Sequence, residues 1–219
     1  MNIQIVNLVN LSGLFLCLFA LAEVMYHKLK CNAEITRKIV HIFSGLITML
    51  FPLVFHSVIP VLILCGSFLL LLIISQEFNL LPSINNIDRV SKGSFYFPIA
   101  IAVSFFMSWK LASPILYYLP LMIMVLADPF ACLVGKRFPF GKFKVGDSNK
   151  TLMGSMGFFA LSFIISLGLL FQIGKMDSYT LVFNAFILAL GTCLAEAFSS
   201  KGYDNITIPV TASLILLVL

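Results

Sequence analysis

The chain has 219 residues, 60% of them hydrophobic and only 11% charged, with a formal net charge of +5. Soluble domains carry roughly a quarter charged residues, so this composition excludes a water-soluble fold and names the bilayer as the solvent. The positive surplus does not imply a nucleic-acid partner, because it sits in short loops between apolar segments with no basic domain to hold a duplex.

A membrane helix needs about 20 apolar residues, and eight segments approach that: 3–26, 39–55, 57–75, 95–109, 111–134, 152–173, 179–197 and 206–219. The last offers only about 21 Å of helix, so seven to eight spans are expected. No linker is long enough for a soluble domain, and residues 1–219 are read as one all-α, polytopic transmembrane domain. The first segment lacks a preceding basic residue and a small-residue cleavage site, which favours a span over a secretory signal. Five scattered cysteines without CxxC or Cys/His spacing read as small hydrophobes.

The loops alternate in charge. Those at 27–38, 76–94, 135–151 and 198–205 hold 12 of the 14 Lys and Arg residues, among them Arg37, Lys38, Arg89 and Lys201. The opposite side holds Lys110 and Lys175. The positive-inside rule therefore puts the basic loops in the cytoplasm and both termini outside.

Polar residues within the apolar stretches are costly and are functional hypotheses by default. Glu23 and His27 lie one helical turn apart at the inner end of the first segment, where a partly solvated interfacial role suits them. His41 follows Arg37 by four residues, so a helix that starts early puts both on one face. Asp128 precedes Pro129 inside the fifth segment. Asp is a good N-cap and Pro suits a first helical position, so the segment is expected to break at Asp128 and restart as a short helix to Gly135. Broken helices within membranes place backbone groups beside a ligand or water cavity; a mere cap is the plainer reading of Asp128.

The stretch 135–155 carries glycines, five basic residues and the run Ser148-Asn149-Lys150-Thr151 before an apolar helix. Glycines let backbone amides approach an anion, helix N-termini favour negative charge, and lysines suit phosphate oxygens. An ordinary basic loop is the alternative, and the stretch is not a Walker A sequence. Farther on, Glu196, Asp204 and Asn205 supply hard oxygen ligands on the same side. Carboxylates opposite a phosphate-binding loop suit a magnesium–nucleotide site, although Asp204-Asn205 taken alone also reads as a turn.

With these residues assembled, the chain resembles the dolichol kinase/phytol kinase family of integral-membrane, CTP-dependent lipid kinases. Arg37-Lys38-Ile39-Val40-His41 is similar to an early RKxxH motif. Asp128 to Ala131, Gly135 to Phe138 and Ser148 to Ser155 resemble a central block, and Glu196 to Phe198 with Asp204 to Pro209 resemble its ending. Met153 stands where the family usually has an acidic residue, which implies a reduced site or a substitute in Asp147. The resemblance implies a lipid-alcohol kinase using Mg²⁺ and passing the γ-phosphate of CTP to a polyprenol, a phytol-like alcohol or diacylglycerol, among membrane lipids.

On that footing Asp128, Lys150, Glu196 and Asp204 are the expected catalytic residues, with Asp128, Glu196 and Asp204 holding the metal or, for one of them, activating the lipid hydroxyl. Nucleotide binding falls to Arg37, His41, Gly135, Lys136, Arg137, Lys142, Ser148, Asn149, Lys150, Thr151, Gly154, Ser155 and Asn205. A membrane cytidylyltransferase forming a CDP-lipid is the alternative, and a small transporter is a third reading. The outer half of the bundle, nearly free of polar residues, disfavours the transporter.

Overall fold

A computed structural model describes residues 3–87, 91–146, 148–174 and 176–219. Arg89, Asp147 and Lys175 lie outside the described residues. Apolar runs bounded by capping residues give the helices in chain order: α1 (Ile3–His27), α2 (Ala33–Thr48), α3 (Phe51–Val54), α4 (Val58–Phe78), α5 (Pro82–Asn85), α6 (Gly93–Lys110), α7 (Ile115–Met122) and α8 (Asp128–Arg137). After a two-stranded hairpin, β1 (Lys142–Val145) and β2 (Ser148–Thr151), come α9 (Leu152–Ile173), α10 (Ser178–Phe198) and α11 (Asp204–Val218). Side-chain caps start α2 and α10: Asn32 Oδ1 accepts from Glu34 N at 2.8 Å, and Asp177 Oδ1 accepts from Tyr179 N and Thr180 N at 3.0 and 3.1 Å.

Among the described residues, six helical stretches are long and apolar enough to cross a membrane: α1, α2 with α3, α4, α7 through α8, α9 and α10. The 15-residue α11 is shorter, in line with its short apolar run. Large apolar side chains such as Leu21, Ile63, Leu70, Ile164 and Phe183 face outward on α1, α4, α9 and α10. An apolar surface of that extent needs lipid to cover it, and the chain is an integral membrane helical bundle.

The α7–α8 stretch is the central column: half of it is buried, against 22–33% of the other five. Tyr117, Leu119, Ile123 and Met124 on it are fully buried, packed with Phe158, Leu188 and Ile208 from α9, α10 and α11. Asp128 follows directly on this buried column.

The structure amends two expectations. Asp128 does not cap a restarted helix: its backbone is helical (φ −65°, ψ −51°) and the column runs through it without a break. The irregularity takes the form of a π-helical segment, Ile123–Ala127, immediately before it. Pro129 has no amide hydrogen for the carbonyls of Val125 and Met124, four and five residues back, and His41 Nε2 donates to the second of these, Met124 O, at 3.3 Å. The tertiary partner thus satisfies a carbonyl the helix cannot. The second amendment is the hairpin, which makes the chain an all-α bundle with one small β element. Lys142 pairs with Thr151 and Val145 with Ser148, closed by Gly146 at φ +54°.

Glu23 and His27 lie 3.2 Å apart, and Glu23 Oε1 accepts from Ser83 N at 3.1 Å. Glu23 thereby ties α1 to the start of α5.

Candidate functional site

The basic loops and the motif residues come together at one end of the bundle. The N-termini of α2, α6, α9 and α11 meet the C-termini of α8 and α10 there, with the β1–β2 hairpin lying beside them. Between these elements lies a cleft of about 910 Å³. Lys38, Lys136, Lys142, Lys144, Lys150 and Lys201 line it, together with the carboxylates Glu34, Asp128, Glu196 and Asp204. Gly135, Ser148, Asn149, Thr151, Gly154 and Ser155 also reach it, so most of the residues assigned to nucleotide binding share one cavity.

Lys150 on β2 is tied to the end of α10. Its Nζ lies 2.5 Å from Glu196 Oε1 and also donates to the Glu196 backbone carbonyl, and the two side chains are 12% and 10% exposed. Lys136 pairs with Glu34 at 2.8 Å across the rim. Lys38 Nζ lies 2.6 Å from Cys132 Sγ. Asp128 has Asp204, Glu196, Lys150 and Lys38 as its electrostatic neighbours. Six lysines and four carboxylates in one cleft leave it with the positive balance a polyphosphate requires.

Thr151 and the glycines have structural roles that spacing did not reveal. Thr151 is the N-cap of α9, its Oγ1 accepting from Gly154 N at 3.0 Å. A Cβ on Gly135 would lie 2.6 Å from Thr151 Oγ1, and one on Gly154 would lie 3.0 Å from Ala131 O. Both glycines let α8 and α9 cross in near backbone contact. Ser155 Oγ is buried in the first turns of α9 with no hydrogen-bond partner among the described residues, a donor in place for an oxyanion in the cleft.

Some expected site residues go elsewhere. The Arg137 guanidinium stacks 5.4 Å from the centre of the exposed Phe138 ring and does not line the cleft. Arg37, His41 and Asn205 line a second cavity instead. Arg37 Nη2 donates to Ser91 Oγ at 2.6 Å, and Asn205 Nδ2 donates to Gly93 O at 2.9 Å. Together they hold the start of α6 against α11, where Gly202 (φ +88°) would place a Cβ 2.3 Å from Gly93 N. Met153, at the position of the expected acidic residue, is half-buried beside Gly154.

The second cavity, about 150 Å³, is a slot running from this polar end into the apolar bundle. Its mouth is Glu34, Arg37, Lys38, His41, Asp128 and Asp204; its walls are Phe15 and Phe19 of α1, Leu64, Cys65, Phe68 and Leu72 of α4, and Phe97 and Ile101 of α6. Ser44 and Thr48 of α2 also line it, but their hydroxyls are turned back to Val40 O (2.5 Å) and Gly45 O (2.7 Å) of their own helix. The bore is therefore apolar along its length. Cleft and slot share Glu34, Lys38, Asp128, Gly202 and Asp204. Glu34 went unnoticed in the sequence, although 34, 37/38, 41, 44 and 48 follow helical spacing.

Among the described residues no three His, Cys, Asp or Glu side chains form a ready metal cluster. The oxygen chemistry suits Mg²⁺ all the same, since that ion is commonly held by one or two carboxylates together with substrate phosphates.

No family model matches the chain, and no solved structure does. The chain is 28% identical to "Phytol kinase" of Synechocystis sp. over 217 residues, which cover 94% of this chain and 89% of that protein. It is 26% identical to "Probable phytol kinase 1, chloroplastic" of Oryza sativa subsp. japonica, covering 83% of this chain and 63% of the relative. The protein of the same description from Glycine max is also 26% identical, with 80% and 64% covered. The chain thus spans a little under two thirds of these two plant relatives and nearly the whole of the cyanobacterial one. The resemblance read from the motifs is borne out along almost the full chain, which is a homologue of the phytol kinases.

Proposed function

We propose that the chain is a membrane lipid-alcohol kinase that passes the γ-phosphate of a nucleoside triphosphate, CTP by resemblance, to an isoprenoid alcohol of the phytol class. The observation that carries this reading is the junction of the two cavities. A basic, water-facing cleft with room for a nucleotide meets an apolar slot that leads into the bundle, and Asp128 and Asp204 stand where they meet. Phosphoryl transfer calls for charge neutralisation and in-line positioning more than for covalent chemistry, and the junction offers both.

In this reading Lys142, Lys144 and Lys201 meet the triphosphate, with Lys150 beside it and the α9 N-terminus facing its oxygens. Asp204 and Glu196 are the carboxylates that would hold Mg²⁺, which supplies neutralisation of the developing charge. Asp128, at the head of the slot, orients the lipid hydroxyl and receives its proton. The bond from that oxygen to the γ-phosphorus forms as the bond to the bridging oxygen breaks, releasing the nucleoside diphosphate. The cleft-bearing end would face the cytoplasm, as the basic loops require.

The test is purified protein with γ-labelled CTP, Mg²⁺ and phytol. Labelled lipid monophosphate with release of CDP supports the kinase; pyrophosphate and a CDP-lipid would show cytidylyl transfer instead. No labelled lipid with any nucleoside triphosphate would overturn the reading.

A further inference from the structure

Arg137 stands outside the cleft, on a surface with a character of its own. On α8, Phe130 and Leu133 are 41% and 59% exposed. With Arg137 they follow i, i+3, i+7 spacing, so the three lie along one face of the helix. The neighbouring α9 opens with Leu152 and Met156, one helical turn apart and 49% and 56% exposed. Two adjacent helices thus turn apolar stripes outward to lipid, and the α8 stripe ends on a cation. Arg137 also closes a stretch, Ile115–Arg137, that is long and apolar enough to cross the membrane. Its guanidinium is therefore set at the depth of the lipid headgroups.

The turn beyond α8 keeps two rings at the same level. Phe138 and Phe140 are 54% and 70% exposed, and the guanidinium lies 5.4 Å from the Phe138 ring centre. The turn is fastened in place: Phe140 N donates to Phe138 O at 2.8 Å, and Leu152 N donates to Gly141 O at 2.9 Å. Gly141 has φ +67°, and a Cβ there would lie 2.6 Å from Leu152 Cβ, so the turn is held hard against the start of α9. Stacking engages the face of the guanidinium and leaves its in-plane N–H fork to donate, the geometry that matches phosphate oxygens. Residues 136–144 hold four basic residues and no acidic one. Of these, Lys136 pairs with Glu34, and Lys142 and Lys144 line the cleft, which leaves Arg137 to the bilayer.

We infer that Arg137, Phe138 and Phe140 form a binding site for an anionic phospholipid, outside the cleft and independent of the reaction performed there. The guanidinium takes the phosphodiester, and the rings pack on the glycerol and first acyl carbons, the depth at which aromatic side chains settle. Headgroups without a cation of their own are preferred, because a choline or ethanolamine would bring positive charge to a segment already basic.

The experiment places full-length protein in nanodiscs of phosphatidylcholine and phosphatidylglycerol at equal mole fraction, and native mass spectrometry counts the lipids each protein retains. Surface attraction to one basic residue enriches an anionic lipid about fivefold. A site that adds the guanidinium fork should exceed that, so wild type should favour phosphatidylglycerol by at least about tenfold. Arg137→Gln should lower the ratio at least about fivefold, and Phe138→Ala/Phe140→Ala by about threefold with the charge kept. Lys28→Gln, which removes another exposed charge from the same end of the bundle, should leave the ratio unchanged. All the substituted side chains are exposed, and unfolding midpoints in detergent confirm that the variants fold. Equal ratios for wild type and Arg137→Gln, or as large a loss in Lys28→Gln, would overturn the site.

Discussion

Lys150 Nζ sits 2.5 Å from Glu196 Oε1, joining the β-hairpin to the C-terminal end of α10 in a pair that is nearly sealed from water. Removing one partner of such a pair leaves an uncompensated buried charge, which costs about 3 kcal/mol or more. Lys150→Ala should therefore lower thermal stability in detergent as well as abolish turnover. The double variant Lys150→Ala/Glu196→Gln should recover part of the stability and none of the turnover. Full recovery of activity in the double variant would show that Lys150 serves only the fold.

Asp128 is set apart from that pair because both cavities reach it. Asp128→Asn keeps the size and the helical backbone while removing the charge. Turnover should fall by at least about a hundredfold, the usual scale for losing a proton acceptor, with the unfolding midpoint unchanged or raised. Near-normal kcat in a folded Asp128→Asn protein would remove Asp128 from the chemistry.

Four glycines separate packing from chance. A Cβ at Gly45 would lie 2.3 Å from Val125 Cγ2 and one at Gly202 would lie 2.3 Å from Gly93 N, while nothing stands within 4 Å of one at Gly13 or Gly168. Gly45→Ala and Gly202→Ala should destabilise by about 1–3 kcal/mol, since overpacked contacts force backbone shifts. Gly202 carries the added strain of its φ of +88°. Gly13→Ala and Gly168→Ala should be neutral or slightly stabilising by helix propensity. Unfolding midpoints of the four variants in one detergent decide this.

Asp177, exposed at the start of α10, should give acid sensitivity. Its carboxylate accepts from the Thr180 hydroxyl at 2.6 Å and from two backbone amides, which together hold its pKa below the ordinary value. A depressed folded pKa contributes stability above the unfolded value and loses it as pH falls through the folded one, here below about pH 4. Asp177→Asn keeps a capping oxygen without the charge, so its unfolding midpoint should vary less with pH in that acid range. An identical pH profile for the two proteins would dismiss the cap as an acid-sensitive element.

Much of the site was legible before any coordinates. Alternating loop charge put the basic residues at one end, and motif spacing selected Asp128, Lys150, Glu196 and Asp204, which do share a cleft. Other assignments changed because the same residue type serves two purposes. Glycine suits both an anion loop and a close helix crossing, and Gly135 and Gly154 proved to stand at a crossing. Asp before Pro suits a cap, yet Asp128 lies within a continuous helix, because His41 supplies the hydrogen bond that Pro129 cannot. Ser148 to Thr151 read as a helix-leading loop. They form a strand because the glycine turn at Gly146 lets Lys142 to Val145 pair back on them.

The sequence by itself determined the membrane class, the positions of the helices and the gathering of charge at one end. Hydropathy and loop charge are local properties, and the bilayer imposes them one segment at a time. Only the tertiary structure decided that Lys150 meets Glu196 across 46 positions, that Glu34 belongs to the site, and that an apolar slot opens at Asp128. Those relations depend on which faces of α1, α2, α4 and α6 turn towards one another. In helices apolar on every side, periodicity carries little record of that choice.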